Sequence, residues 1–144
     1  MEDQTSWRER RREASVEQAA ALERRKAAES AQARELLIAF VRELQDRGVA
    51  AEALRAQVIG SGTSYRTGIS GWYLRKNRSV GVDTEANFYI LGTTASLAAR
   101  VTGVRVLPSD PPLVVGQGGR DGESIKLADL LEMRRAELFK LPKK

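Results

Sequence analysis

Six apolar residues between Trp72 and Leu91 constrain this chain more than any other feature, because a single strand register accommodates them all. Trp72, Leu74, Val80, Val82, Phe88 and Ile90 alternate with polar or small residues. If the segment folds back at Lys76-Asn77-Arg78 and again at Thr84-Glu85-Ala86, Trp72 lies opposite Val82 and Val82 opposite Phe88. Leu74 then meets Val80, and Val80 meets Ile90. A slip of one residue would turn each apolar set to the wrong face, so the register is well specified. The other face carries Tyr73, Gly81 and Tyr89 in a row, with Arg75 and Ser79 beside them. This predicts an exposed aromatic platform next to a basic loop.

Charge sharpens that expectation. The chain has 144 residues and a formal net charge of +5. Residues 1–48 carry ten basic and ten acidic side chains, so the whole excess belongs to the remainder. Between Glu52 and Asp83 stand Arg55, Arg66, Arg75, Lys76 and Arg78, with no acid among them. Aromatic faces stack on bases and cations meet phosphates, so Tyr73, Tyr89, Arg66, Arg75, Lys76 and Arg78 are the candidate binding residues. The spacing matches no RRM core. A structural account is also at hand, in which a cross-strand aromatic covers the bare backbone of Gly81.

Upstream, residues 5–47 contain neither Gly nor Pro and read as one helix. Thr5 or Ser6 can cap its start. Gly48 can close it in a left-handed conformation, with Val49 making the accompanying apolar contact. Its 43 residues would extend about 65 Å. Leu37, Phe40, Val41 and Leu44 form a stripe that can dock on a sheet. Before Leu36 the apolar content is mostly Ala, with Val16 and Leu22 the larger members. Heptad continuation of the stripe meets Ser30 and Glu23, which argues against a Leu-type coiled coil. Two readings of this part follow: a solvated helix supported by pairs such as Glu43–Arg47, or an alanine-rich seam that pairs with another helix.

Downstream, Ala50–Gln57 reads as a short helix and Gly60–Ser64 as a flexible loop. Ile69–Arg75, Ser79–Asp83 and Asn87–Thr93 are the strands of the apolar register. In the second turn Asn87 or Asp83 can take positive φ. Ser96–Arg100 suggests a helical turn, Val101–Leu107 a fourth strand and Leu113–Val115 a short buried strand. A closing helix spans Leu127–Leu138, with Leu127, Leu130, Leu131 and Leu138 facing inward. The class is therefore α+β: a long N-terminal helix, a small mainly antiparallel sheet of four or five strands, and a C-terminal helix packed on one sheet face. Residues 1–35 form a projecting, charged, Ala-rich arm, and residues 36–144 a single domain.

Composition narrows function. With no His and no Cys, the commonest general base, metal ligands and nucleophile are missing together, and disulfides with them. Gly116–Gly122 lies between an apolar strand and a helix, where a phosphate-cradling loop would sit. Asp121 stands at the third glycine of the dinucleotide fingerprint, and no Gly-Lys-Ser/Thr follows. Gly60–Arg66 offers hydroxyls and one Arg to an anion. Asp110, Asp121, Glu123 and Asp129 lack the spacing of a Mg²⁺ or Ca²⁺ loop. The expectation is a cytoplasmic, non-catalytic interaction module without cofactor, metal or membrane segment. Its arm would pair with another protein or its own copy, and its basic aromatic face would meet an acidic partner. The rival reading is RNA or DNA binding by the same residues, and a less favoured one is an enzyme using the Gly116–Gly122 loop.

Overall fold

A computed structural model of the chain describes residues 2–116 and 124–140. Helix α1 (Glu2–Asp46) opens the chain. Its 45 residues correspond to about 68 Å. It ends as the sequence predicts. Gly48 takes φ 71°, Val49 N–H donates to Leu44 O at 2.9 Å and Gly48 N–H to Gln45 O at 3.1 Å. That is a Schellman closure, with Val49 packed against the core.

Strands β1 (Glu52–Val58), β2 (Ser64–Tyr73), β3 (Val80–Asp83), β4 (Phe88–Ile90) and β5 (Gly92–Thr93) form one sheet in the order β4-β3-β2-β1-β5. All neighbours are antiparallel except β1 and β5. The expected register is present: Trp72 opposes Val82, Val82 opposes Phe88 and Val80 opposes Ile90. Leu74 N–H donates to Val80 O at 2.9 Å. Helix α2 (Leu97–Thr102) follows, and a two-stranded ribbon of β6 (Val114–Val115) and β7 (Ile125–Lys126) leads into α3 (Leu127–Phe139).

The main core lies between this sheet and the two long helices. Leu37, Phe40, Val41 and Leu44 of α1 and Leu127, Leu130 and Leu131 of α3 pack with Trp72, Leu74, Val80, Val82 and Phe88. Each such side chain contributes about 1.5–3 kcal/mol on burial. Leu138 is only partly buried against the same core. Polar contacts tie the helices together: Arg135 Nε lies 2.8 Å from Glu43 Oε2, and the Arg47 guanidinium stacks 4.1 Å from the Phe139 ring centre. Glu43 and Arg47 thus reach across to α3 rather than pairing along α1.

Several expectations are corrected. Ala50–Gln57 is not a helix: its part from Glu52 belongs to β1, where Leu54, Ala56 and Val58 are buried at every second position. Strand β2 starts at Ser64, well before Ile69. Val101–Leu107 is no strand; Val101 and Thr102 complete α2, and Val104 N–H joins Arg66 O at 2.8 Å as a single link. Ile90 shares the register but is exposed at the end of the edge strand β4, whereas Phe88 at the start of that strand is buried in the helix–sheet core. In the second turn neither Asp83 nor Asn87 takes the left-handed conformation. Ala86 does, at φ 67°, and its buried methyl joins the helix–sheet core. The first turn places Arg78 at φ 60°.

Candidate functional site

The predicted platform is paired as expected, Tyr73 opposite Gly81 and Gly81 opposite Tyr89. It is not exposed. Tyr73 is 4% and Tyr89 7% accessible, within a second core of Leu54 and Leu91 with Ile69 and Val106 against it. Leucines rather than rings close over Gly81. A Cβ there would meet Leu54 Cδ1 and Leu91 Cδ1 at 3.1 Å each. Neither ring offers a free face on which a base could stack.

The tyrosine hydroxyls have structural partners instead. The β1–β2 register jumps from Leu54 opposite Ile69 to Arg55 opposite Arg66, so Thr67 and Gly68 form a bulge on β2. Gly68 supplies φ 75°. The bulge strands two backbone groups, and two side chains satisfy them. Arg55 N–H donates to Tyr73 Oη at 2.8 Å, and Thr67 Oγ1 donates to Leu54 O at 2.6 Å. Tyr89 Oη donates to Asp83 Oδ2 at 2.9 Å. Asp83 also gathers the backbone N–H groups of Glu85 and Asn87 on Oδ1, at 2.9 Å each. Burial, and then the adjacent Asp83 carboxylate, push the Tyr89 hydroxyl from 10.0 up to about 12. Tyr65 Oη accepts from Ser96 N–H at 2.9 Å, fixing the entry to α2.

The four basic candidates fall into two groups. Arg75, Lys76 and Arg78 occupy the loop joining β2 to β3. Lys76 Nζ lies 3.8 Å from Glu137 on α3, with most of its side chain exposed. The Arg78 guanidinium caps the Tyr73 ring at 5.4 Å. Arg134 Nε donates to Tyr73 O at 2.7 Å and Arg134 Nη1 to Glu137 at 2.8 Å, which docks α3 onto this end of the hairpin. Arg66 lies about 20 Å along β2 from Tyr73, on the far side of the bulge. Its Nη2 donates to Val101 O at 2.6 Å at the end of α2. Arg66 is therefore no part of a surface shared with the hairpin loop. Its cross-strand neighbour is Arg55 of β1, which the helical reading of Ala50–Gln57 does not bring beside Arg66.

The arm presents the other candidate surface. Every side chain from residue 4 to residue 29 is exposed, and the first buried one is Ala33. Trp7 is 54% and Val16 64% accessible, and Leu22 is exposed as well. Arg34 and Asp110 form one exposed ion pair at 3.8 Å near the base of the arm, worth little in water.

Most of Gly116–Gly122, with Asp121 and Glu123, lies outside the described residues. Among the described residues no helix is long and apolar enough to cross a membrane. Comparisons with protein-family models, with curated proteins and with solved structures return no match for this chain.

Proposed function

We propose that this protein is a non-catalytic interaction module whose helical arm, residues 1–35, docks on a partner helix, either that of another protein or of a second copy. The observation that supports this reading is the continuous exposure of residues 4–29 along a helix bearing Trp7, Val16 and Leu22 on its surface. Most helical stability in proteins comes from packing of one face rather than from propensity, and among the described residues this stretch has no buried face. Docking would give it the packing that its last three turns obtain from the sheet. The hairpin residues Lys76 and Arg78, exposed, and Arg75, half-buried, offer positive charge to an acidic surface on the partner.

A photo-crosslinking residue placed at position 7, 16 or 22 of the full chain tests the reading, together with sedimentation. The expected result is a discrete crosslinked species that Val16→Glu and Leu22→Glu abolish without altering the thermal midpoint of the domain. A monomer that crosslinks to nothing discrete in its native cell would sink it.

The second reading, nucleic-acid binding, retains one supporting observation: the basic hairpin tip, where Lys76 and Arg78 are exposed and Arg75 is half-buried, although Glu137 of α3 lies 3.8 Å from Lys76. With Tyr73 and Tyr89 buried, it reduces to phosphate contacts alone. Such binding would fall steeply with salt and show no sequence preference. Anisotropy with labelled single-stranded RNA and DNA, repeated with the three residues changed to Ser, separates it from the arm reading.

A further inference from the structure

Arg55 and Arg66 are direct cross-strand partners in β1 and β2. Like charges in that position repel and cost stability. Among the described residues neither has an ion pair with a carboxylate. Both line an open cleft of about 370 Å³ together with Leu54, Thr67, Thr102 and Val104, and among the described residues none that lines it is acidic. A cleft of this size suits a small ligand.

The two guanidiniums are held in place by neutral groups. Arg55 Nε donates to Ser64 Oγ at 2.8 Å and Arg55 Nη2 to Ser64 O at 2.9 Å. Arg66 Nη2 is anchored on Val101 O. Most of their N–H donors stay uncommitted after these contacts. The backbone of Arg66 is fixed too. Val104 N–H binds its carbonyl, and Gly103, at φ 79°, passes so close that a Cβ would sit 2.8 Å from Arg66 O. Two cross-strand arginines lining one cleft supply paired, charged planar donors, the chemistry that holds a phosphate dianion.

We propose that the Arg55–Arg66 cleft is a binding site for a phosphate group, free or carried by a small phosphomonoester. The site is separate from the arm and the hairpin tip. Its free energy comes from relieving a like-charge pair as well as from new charge-assisted hydrogen bonds.

The test is an amide chemical-shift titration of the full chain with inorganic phosphate and with glycerol phosphate, at constant ionic strength with chloride as the control. Saturable shifts confined to Arg55, Arg66, Thr67 and Gly103 are expected. Inorganic phosphate alone producing them identifies a free anion, and both probes producing them identifies an ester site. Arg66→Gln should weaken binding about tenfold or more, the effect of losing one charged donor. Because Arg66 also anchors α2, Arg55→Gln provides a second variant, and the melting temperature without ligand shows that either chain folds. Non-saturating shifts, equal shifts at Arg75, Lys76 and Arg78, or binding unchanged in both folded variants would overturn the proposal.

Discussion

The two ends of α1 are made of similar material and live in different surroundings. Residues 4–29 and residues 33–44 are both free of Gly and Pro. Only the second stretch places residues fully inside: Leu37, Phe40 and Leu44 are completely buried. Intrinsic propensity differs by only tenths of a kcal/mol per residue between such segments, whereas the buried face gains about 1.5–3 kcal/mol per large side chain. The comparison teaches that one uninterrupted helix can contain two thermodynamic units. The C-terminal turns share the buried helix–sheet core, whereas residues 4–29 are exposed throughout, so the two stretches are expected to open with different free energies.

The largest effect that separates the two should come from side-chain truncation. Phe40→Ala is expected to lower the unfolding free energy by about 3–5 kcal/mol. Leu22→Ala in the arm should change it by less than about 0.5 kcal/mol, both read by urea denaturation. Equal effects would mean that the arm is packed after all.

Alkaline titration sharpens the contrast, since all three tyrosines lie outside the arm. Tyr89 has a folded pKa of about 12 against 10.0 when free, so the native state holds its proton where the unfolded chain loses it. Stability from this group is complete below pH 10 and disappears as pH rises from about 10 to 12. A loss on the order of 2 kcal/mol is expected, and Tyr89→Phe should remove that slope in denaturation curves.

A backbone substitution made twice gives a smaller and cleaner comparison. Ala39 and Ala20 are both exposed on α1. Ala39→Gly should cost the domain about 1 kcal/mol. Ala20→Gly should leave the denaturation midpoint unmoved while speeding amide exchange in the arm. The smallest effect concerns the Arg11 guanidinium, 4.8 Å from the Trp7 ring centre. Arg11→Ala should alter arm helicity by about 0.5 kcal/mol and global stability not at all.

How much of this was legible in the sequence depends on how local the deciding interaction is. The Trp72–Val82–Phe88 register could be read because period-two alternation and two turns over-determine it. The Gly48 closure could be read because a left-handed C-terminus needs a glycine there. By contrast β1 contains Ala, Glu, Leu, Arg and Gln, all good helix formers, and its strand state is imposed by pairing with β2 on one side and β5 on the other. Ala86 held a left-handed turn position that composition assigns to Asn or Gly, because its methyl is needed in the core. The tyrosine face looked exposed since its cover comes from Leu54 and Val106, far apart in the chain. The Arg55–Arg66 pair was hidden for the same reason as β1.

The placement of the two tryptophans has an optical consequence. Trp72 is buried, with an indole N–H that has no hydrogen-bond partner among the described residues, while Trp7 is exposed on the arm. Their emission should therefore divide into a blue, quencher-resistant component and a red, quencher-accessible one. With no third indole in the chain, Trp7→Phe and Trp72→Phe each isolate a single colour. Arm docking would register as a blue shift and loss of acrylamide quenching in the red channel alone, so the molecule carries its own two-channel fluorimeter without any added label.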